Sequence, residues 1–400
     1  MRLTIVAVFV VVTLTGGSGG THAAPAAPTL SQATSACSSA TGRRLEVGPG
    51  KTYPTPRAAA AAASDGDVVL ITAGEYRGDV ATWPQNQLTI CGSGGRARLF
   101  ASGADAGGKG VWVIQGSDVV IEHIVFHDAK VPDRNGAGIR AEGKGLTVRD
   151  SGFYDNENGI LGPNTGELTI ERCEFARNGF GDGQSHNLYV GAVDRLIVRA
   201  SWFHDAKIGH NLKSRAKETM VENSWFIDGP QSTTSYQIEA PNGGRVYLRG
   251  NVIHKGPKAD NPNLIAYGAE GLVAGRTNSL TMIHNTLVSR YSGGNFVKLY
   301  HRDVSVAMTA NLFAGTNHPR TISSAAASKI REAHNLVTTA AFFRIANDPA
   351  MPNFWPVSSL AARTLLPDVP DLGYLSDAPA PFALRRVTGP RRVGALQAPP

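Results

Sequence analysis

The residues best suited to chemistry fall in four segments: SHNLYVG from Ser185, GHNLKSRA from Gly209, SYQIEAPNGG from Ser235 and NLIAYGAEG from Asn263. Lys213 and Arg215 supply two cations, Tyr189, His210 and Tyr236 supply groups that can give a proton, and Glu239 and Glu270 supply carboxylates. On a polymer of uronic acids this set serves β-elimination. That reaction needs a base for the proton at C5, a cation or strong donor for the adjacent carboxylate, and an acid for the leaving oxygen. The expected roles are Lys213 as base, helped by the crowding of Arg215, and Arg215 as neutraliser of the carboxylate. Tyr189, Tyr236 or His210 would be the acid. The competing chemistry is glycoside hydrolysis or epimerisation through Glu239, with Asp205, Asp228 or Glu270 as partner. A carboxylate pair about 5 Å apart would mean retention and one roughly 6.5–9.5 Å apart inversion. The third reading is a solenoid that only binds glycan or serves as structure, with Lys213 and Glu239 as a plain surface ion pair.

These segments converge only if a regular fold stacks them. Seven short stretches align on an inward-type apolar residue: Ile139, Ile160, Leu188, Leu212, Ile238, Ile265 and Val297. Strand alternation then turns the next residue outward, giving the row Arg140, Leu161, Tyr189, Lys213, Glu239, Ala266 and Lys298. Stacked strands lie about 4.8 Å apart, so Tyr189, Lys213 and Glu239 should be neighbours on one polar patch. The residue before each apolar position is also expected to face outward, placing Asn187, Asn211 and Gln237 at the edge of the patch. With His186, Asn242, Tyr267 and Glu270 they form the expected substrate-binding set. His186, His210 and Tyr236 share a column that strict alternation would bury, so an internal stack competes with a catalytic reading there.

The stretches alternate with a recurring segment of about ten residues. Its copies are VVIEHIVFHD from Val119, LTVRDSGFYD from Leu146, LTIERCEFAR from Leu168, LIVRASWFHD from Leu196 and TMVENSWFID from Thr219. VYLRGNVIHK from Val246, LTMIHNTLVS from Leu280 and VAMTANLFAG from Val306 continue the series, with starts 22 to 34 residues apart. Positions one, three, six and eight carry inward types, so the phase slips once, at a bend between three and six. Position six reads Ile124, Ser151, Cys173, Ser201, Ser224, Asn251, Asn285 and Asn311. Stacked amides and hydroxyls at a bend can bond one another and the turning backbone. Coils of variable length with two or three short strands each make a parallel β-solenoid. A propeller would need about 40 residues per blade, and a sandwich has no such column.

The chain resembles the right-handed parallel β-helix superfamily that contains the pectate lyases. VGPGKTYPTPRAAAAAASDGDVVLITAGEYRGD is similar to the superfamily's lead-in, which implies a short Ala-rich capping helix at about 57–64 and a first strand VVLI. LTICGSGG from Leu88 resembles the first full coil, and RRVGALQ near the end resembles the closing segment. The likeness spans 46–325. It implies an all-β fold, and it leaves function open, because the superfamily holds lyases, hydrolases, epimerases and inert adhesins. NLKSRAKETMVENSWF also resembles the Lys-Ser coil of β-helix alginate lyases and chondroitinase B-like enzymes, which implies Lys213 as the base. Those enzymes carry Arg-His-Gly on the next coil, where this chain has Tyr236, Gln237, Ile238 and Glu239.

Residues 1–23 read as a secretory signal, with Arg2, the apolar run Leu3 to Leu14 and a small-residue exit at Ala23 or Ala24. Residues 24–45 read as a linker, 46–325 as the β-helix and 326–400 as a closing segment and tail. The run is shorter than the roughly 20 residues that span a bilayer, and no later stretch qualifies. The expected product is a secreted or periplasmic monomer acting on a polysaccharide. Export makes nucleic acid an unsuitable partner, and a net charge of +7 suits an acidic glycan. Of the three cysteines, Cys37 and Cys91 are the pair expected to bridge. Cys173, in the position-six column, is expected to be an inward thiol. Asp128, Asp155, Asp205 and Asp228 follow strands, where Asx turns explain them. Calcium on that column is the one cofactor considered, and no protein-bound metal is assigned.

Overall fold

The computed structural model describes residues 35–315 without a break and, further on, 320–323, 329–339, 343, 354, 374–376, 384–387 and 392–396. The signal, and the linker up to residue 34, lie outside the described residues. Among the described residues, apart from one short antiparallel pair, Tyr374–Ser376 with Leu384–Arg386, every strand pairing is parallel and joins one coil to the next. The result is a right-handed parallel β-helix. One sheet of 21 strands carries the ten-residue repeat, and a second of 10 strands carries the stretches that follow it. Among the described residues no helix is long and apolar enough to cross a membrane.

The repeat aligns as the sequence implies. Leu146, Leu168, Leu196, Thr219, Val246, Leu280 and Val306 pair in unbroken register. Residues 329–339 add a further copy, past the expected boundary at 325: Lys329–Ala333 and Leu336–Thr339 pair with the coil before them. Position eight fills the core with rings. Phe126, Phe153, Phe175, Phe203 and Phe226 stack at 4.6–5.1 Å, all fully buried.

The bend has a specific backbone cause. Position five is left-handed in His123, Asp150, Arg172, Ala200, Asn223, His284 and Ala310, a conformation unfavourable for a side-chain-bearing residue. The next side chain offsets that cost by bonding the turn. Asn251 Oδ1 accepts the Ser224 N–H at 2.9 Å, and Asn251 Nδ2 donates to Asn285 Oδ1 at 2.9 Å and to Val221 O at 2.8 Å. Asn285 and Asn311 repeat the pattern, and Asn335 extends it. Cys173 sits in this column, fully buried, and burial pushes its thiol up to about 12.

The first coil is closed as expected, with two differences. The helix is Pro56–Ala62, started by Pro56 at its first position and by Thr55, whose hydroxyl accepts the Ala58 N–H at 3.3 Å. VVLI is not the first strand. Arg44–Val47 precedes it and pairs with it, so part of the expected linker is already a coil. Cys37 and Cys91 form the expected disulfide. Far along the chain, Phe343, Phe354, Ala395 and Leu396 pack on the outside of the first sheet against Trp225, Val252 and Leu312. Ala395 N–H donates to Thr286 Oγ1 at 2.9 Å and Gly394 N–H to Ala310 O at 2.8 Å.

Candidate functional site

The second sheet holds the expected apolar row in register. Ile139, Ile160, Leu188, Leu212, Ile238, Ile265 and Val297 pair in succession and are buried. Tyr189, Lys213 and Glu239 therefore stand side by side on the outer face. Lys213 Nζ lies 3.2 Å from Glu239 Oε2 and donates to Glu270 Oε1 at 2.7 Å. The other Glu270 oxygen lies 2.6 Å from Arg215 Nη2, so one carboxylate bridges both cations. Arg215 Nε donates to the Tyr189 hydroxyl at 2.8 Å, and Arg215 Nη1 donates to Asn242 Oδ1. Asn242 Nδ2 in turn donates to Gly271 O at 3.2 Å. Lys213 and Arg215 also sit 5.7 and 5.6 Å from the Tyr189 ring centre.

His186, His210 and Tyr236 form the stack that alternation suggests. The two imidazoles lie 4.6 Å apart and nearly parallel, and Tyr236 continues the column at 5.1 Å. Hydrogen bonds fix the histidine tautomers. His186 Nδ1 accepts the His210 N–H, and His210 Nδ1 accepts the Tyr236 N–H. The ring proton of His210 must then sit on Nε2, which lies 3.1 Å from Glu239 Oε2. Burial keeps His210 below the ordinary histidine value despite Glu239, and drives His186 well below it. His210 is thus a neutral imidazole facing Glu239.

The same bonds decide the charge state of the carboxylates. Burial acts to raise Glu239, but His210 and Lys213 outweigh it and hold the carboxyl below its ordinary value. Glu270 shows the same balance, with Lys213 and Arg215 outweighing burial. Both are ionised near neutrality. Arg215 is raised, because its bonds to Tyr189 and Glu270 exceed the effect of burial.

Five expected substrate-binding residues are buried away from the outer face. Asn187, Asn211 and Gln237 are fully buried and form a second internal ladder. Asn178 Nδ2 donates to Asn187 Oδ1 at 2.8 Å, Asn187 to Asn211 at 2.5 Å and Asn211 to Gln237 at 2.6 Å. The chain bends just before the apolar residue, so two successive side chains point inward and alternation fails there. Tyr267 is also inward, its hydroxyl donating to Gly244 O at 2.5 Å. His186 is buried behind Tyr189 and cannot reach a polymer. Asn242 and Glu270 do join the patch.

Two site residues escape the sequence reading. Tyr300, partly exposed, shares a hydrogen bond with Tyr236 at 2.7 Å between hydroxyls. Arg276 Nη1 donates to Arg215 O at 3.0 Å and fixes the base of that side chain. Tyr300 lies two residues after Lys298 in the outward row, so extending the alternation one step would have found it. Arg276 lies in a turn without periodicity and carries no such signal.

The aspartate column does turn chemistry. Asp128 Oδ1 accepts the Ala101 N–H, Asp155 pairs with Arg177, and Asp205 accepts the Gly229 N–H and binds His204. Asp228 is fully buried, bonded to Ser232 and the Gly256 N–H, and burial raises its carboxyl. Asp205 and Asp228 are therefore engaged away from Glu239. Among the described residues, ligand spacing for a metal occurs at Glu122, His123 and Asp150 and not on this column. Even there Asp150 is held by Arg172 through both oxygens at 2.8 Å.

Comparison with known proteins supports the architecture. No curated protein matches at a significant level. Among solved structures, the pectate lyase Pel9A is similar at a TM-score of 0.57 and 14% identity, over 91% of this chain and 100% of that one. An alginate lyase from Paenibacillus sp. str. FPU-7 reaches 0.48 at 16% identity, over 70% and 95% of the two chains. The pectin methylesterase from Aspergillus niger reaches 0.36 at 10% identity, over 80% and 93%. At 14% identity the likeness to the pectate lyase concerns the fold alone. The family described as the right handed beta helix region matches residues 101–313, more than half of the sequence and all of the patch, and the chain belongs to that family.

Proposed function

We propose that the protein is an exported polysaccharide lyase that cleaves a uronic-acid-containing polymer by β-elimination at the Lys213 patch. The observation that carries this reading is the grip of Lys213 and Arg215 on a single carboxylate, with the Tyr189 hydroxyl bonded to the same guanidinium. Arg215 keeps its charge and neutralises a carboxylate held there, which acidifies the adjacent C–H. Lys213, after its ammonium has released a proton to solvent, takes the C5 proton as the free amine, the C–H electrons form the C4–C5 double bond, and the C4–O bond breaks. Tyr189, oriented by Arg215, returns a proton to the leaving oxygen. Glu239, braced by His210, holds Lys213 in place from the next coil. The fold likeness to a pectate lyase is consistent with this assignment.

A hydrolase acid must keep its proton near neutrality, and the low Glu239 carboxyl is unsuited to that task. The test is incubation with a panel of acidic and neutral polysaccharides, read by ultraviolet absorbance of unsaturated ends and by new reducing ends. Absorbance together with new ends supports the lyase. Ends alone would make the protein a hydrolase, and neither signal would make it a binding or structural solenoid. Mass spectrometry of protein recovered outside the cell should show a chain starting after Ala23 or Ala24; an intact leader would overturn export by cleavage.

A further inference from the structure

The seat between Lys213 and Arg215 is filled by a carboxylate of the chain itself. Glu270 meets Lys213 with one oxygen at 2.7 Å and Arg215 with the other at 2.6 Å. Its position differs from that of Glu239 in kind. The Glu239 side chain lies on a strand and is 4% exposed, whereas that of Glu270 lies on a turn and is 40% exposed. The Glu270 backbone is pinned, with its N–H bonded to Pro241 O at 3.0 Å and Gly268 N–H to Ala240 O at 2.8 Å. Gly268 and Gly271 flank it with φ of +80° and +93°, and nothing lies within 4 Å of where a Cβ would stand on Gly271. With 40% of the Glu270 side chain in solvent, a change of rotamer can withdraw the carboxylate without opening the turn.

Charge makes the withdrawal selective. Lys213 and Arg215 balance Glu239 and Glu270. Moving the Glu270 carboxylate into solvent leaves the seat with one positive charge in excess. An incoming carboxylate restores the balance with the same two bonds, while an ester or a neutral sugar does not.

Resting on the lyase reading above, we propose that Glu270 is a placeholder: it occupies the seat of a free uronate carboxylate and swings out when the polymer binds. It thereby sets specificity for unesterified uronates, because only a charged group can replace it.

Calorimetry of wild type and Glu270→Gln with oligomers of galacturonate, of alginate and of glucuronate-containing polymers, each beside its carboxyl-reduced counterpart, tests the idea. The variant should bind the matching oligouronate about tenfold more tightly than wild type, with no gain for the reduced oligomer. Equal or weaker binding by the variant would overturn the placeholder and make Glu270 a direct sugar contact or a structural residue. Binding of no oligouronate by either protein would also overturn it, since no seat would exist. The lyase reading fails separately. Tighter binding by Glu270→Gln without unsaturated product in either protein keeps the placeholder and removes the lyase, whereas product without tighter binding does the reverse. A thermal melt of Glu270→Gln close to that of wild type confirms that the comparison is between folded proteins.

Discussion

Two polar ladders run inside the helix, and they are not equivalent. The first, from Ser151 to Asn335, follows the bend of the first sheet and bonds only backbone and its own neighbours. The second, Asn156, Asn178, Asn187, Asn211 and Gln237, is shorter, and its last three members lie beneath the patch. Its flanking residues differ in consequence. In the first ladder they are turn and core residues. In the second, His210 precedes Asn211 and Lys213 follows two places later, so the buried amide sets where the outer groups emerge. One ladder stabilises a coil, and the other also aims a site.

The sharpest test of that distinction is loss of the aimed group itself. On the lyase reading, Lys213→Ala should lower turnover about 10²–10⁴-fold while the protein still folds, because the side chain, though only 12% exposed, stands outside the apolar core. Lys213→Arg should fail nearly as badly, since a guanidinium keeps its proton near neutrality. If either variant turns over at the wild-type rate, the outer face has been misassigned.

The ladders come next. Asn251→Leu and Asn211→Leu should each cost roughly 1–3 kcal/mol in denaturant unfolding, because each strands buried polar groups. Only Asn211→Leu should also reduce turnover under conditions where the protein remains folded. Loss of activity in both, or in neither, would erase the difference between the columns.

Acid should act through buried histidines of the second half. His254, packed 5.4 Å from Phe354, is pushed by burial from 6.5 to about 3. Between those values the unfolded chain binds a proton that the folded chain refuses, so this contribution to stability is complete above the unfolded value and falls with pH. His186 and His210 act in the same direction. Denaturant melts at stepped pH should show the decline begin near 6.5, and His254→Leu should make it shallower. An unchanged slope would assign the effect to the histidines of the stack.

The smallest effect concerns Cys173, buried in the first ladder with its thiol bonded to Glu171 O at 3.3 Å. Thiol labelling of the native protein should be slow and leave Cys37 and Cys91 unlabelled. Rapid labelling of Cys173 would mean that the column is open.

The sequence revealed periodic features and hid local ones. Leu168, Ile170, Cys173 and Phe175 recur at fixed spacing in coil after coil, so the repeat, its inward column and the Tyr189–Lys213–Glu239 row could be read directly. Asn187, Asn211 and Gln237 could not be oriented by alternation, because a bend turns two successive residues inward. Their shared amide type at one offset was the clue, since an amide column already marked the first bend. The Glu270 contact joins residues 57 apart through a turn of irregular length, and no period reports it. Tyr267 misled because a tyrosine near a polar patch reads as a sugar contact, whereas its hydroxyl bonds an inner turn.

The distant segment on the first sheet has a consequence for the order in which the protein is completed. Ala395 bonds Thr286 across 109 residues of sequence, and with Leu396 it covers the apolar strip of Trp225, Val252 and Leu312. Coils can stack one by one as the chain emerges, since each needs only its predecessor. Phe343 and Phe354 cover part of that strip, and the rest stays bare until Ala395 and Leu396 arrive. During synthesis the growing solenoid therefore carries an exposed hydrophobic band along one flank, the stage at which a chaperone or a second nascent chain would find it most easily.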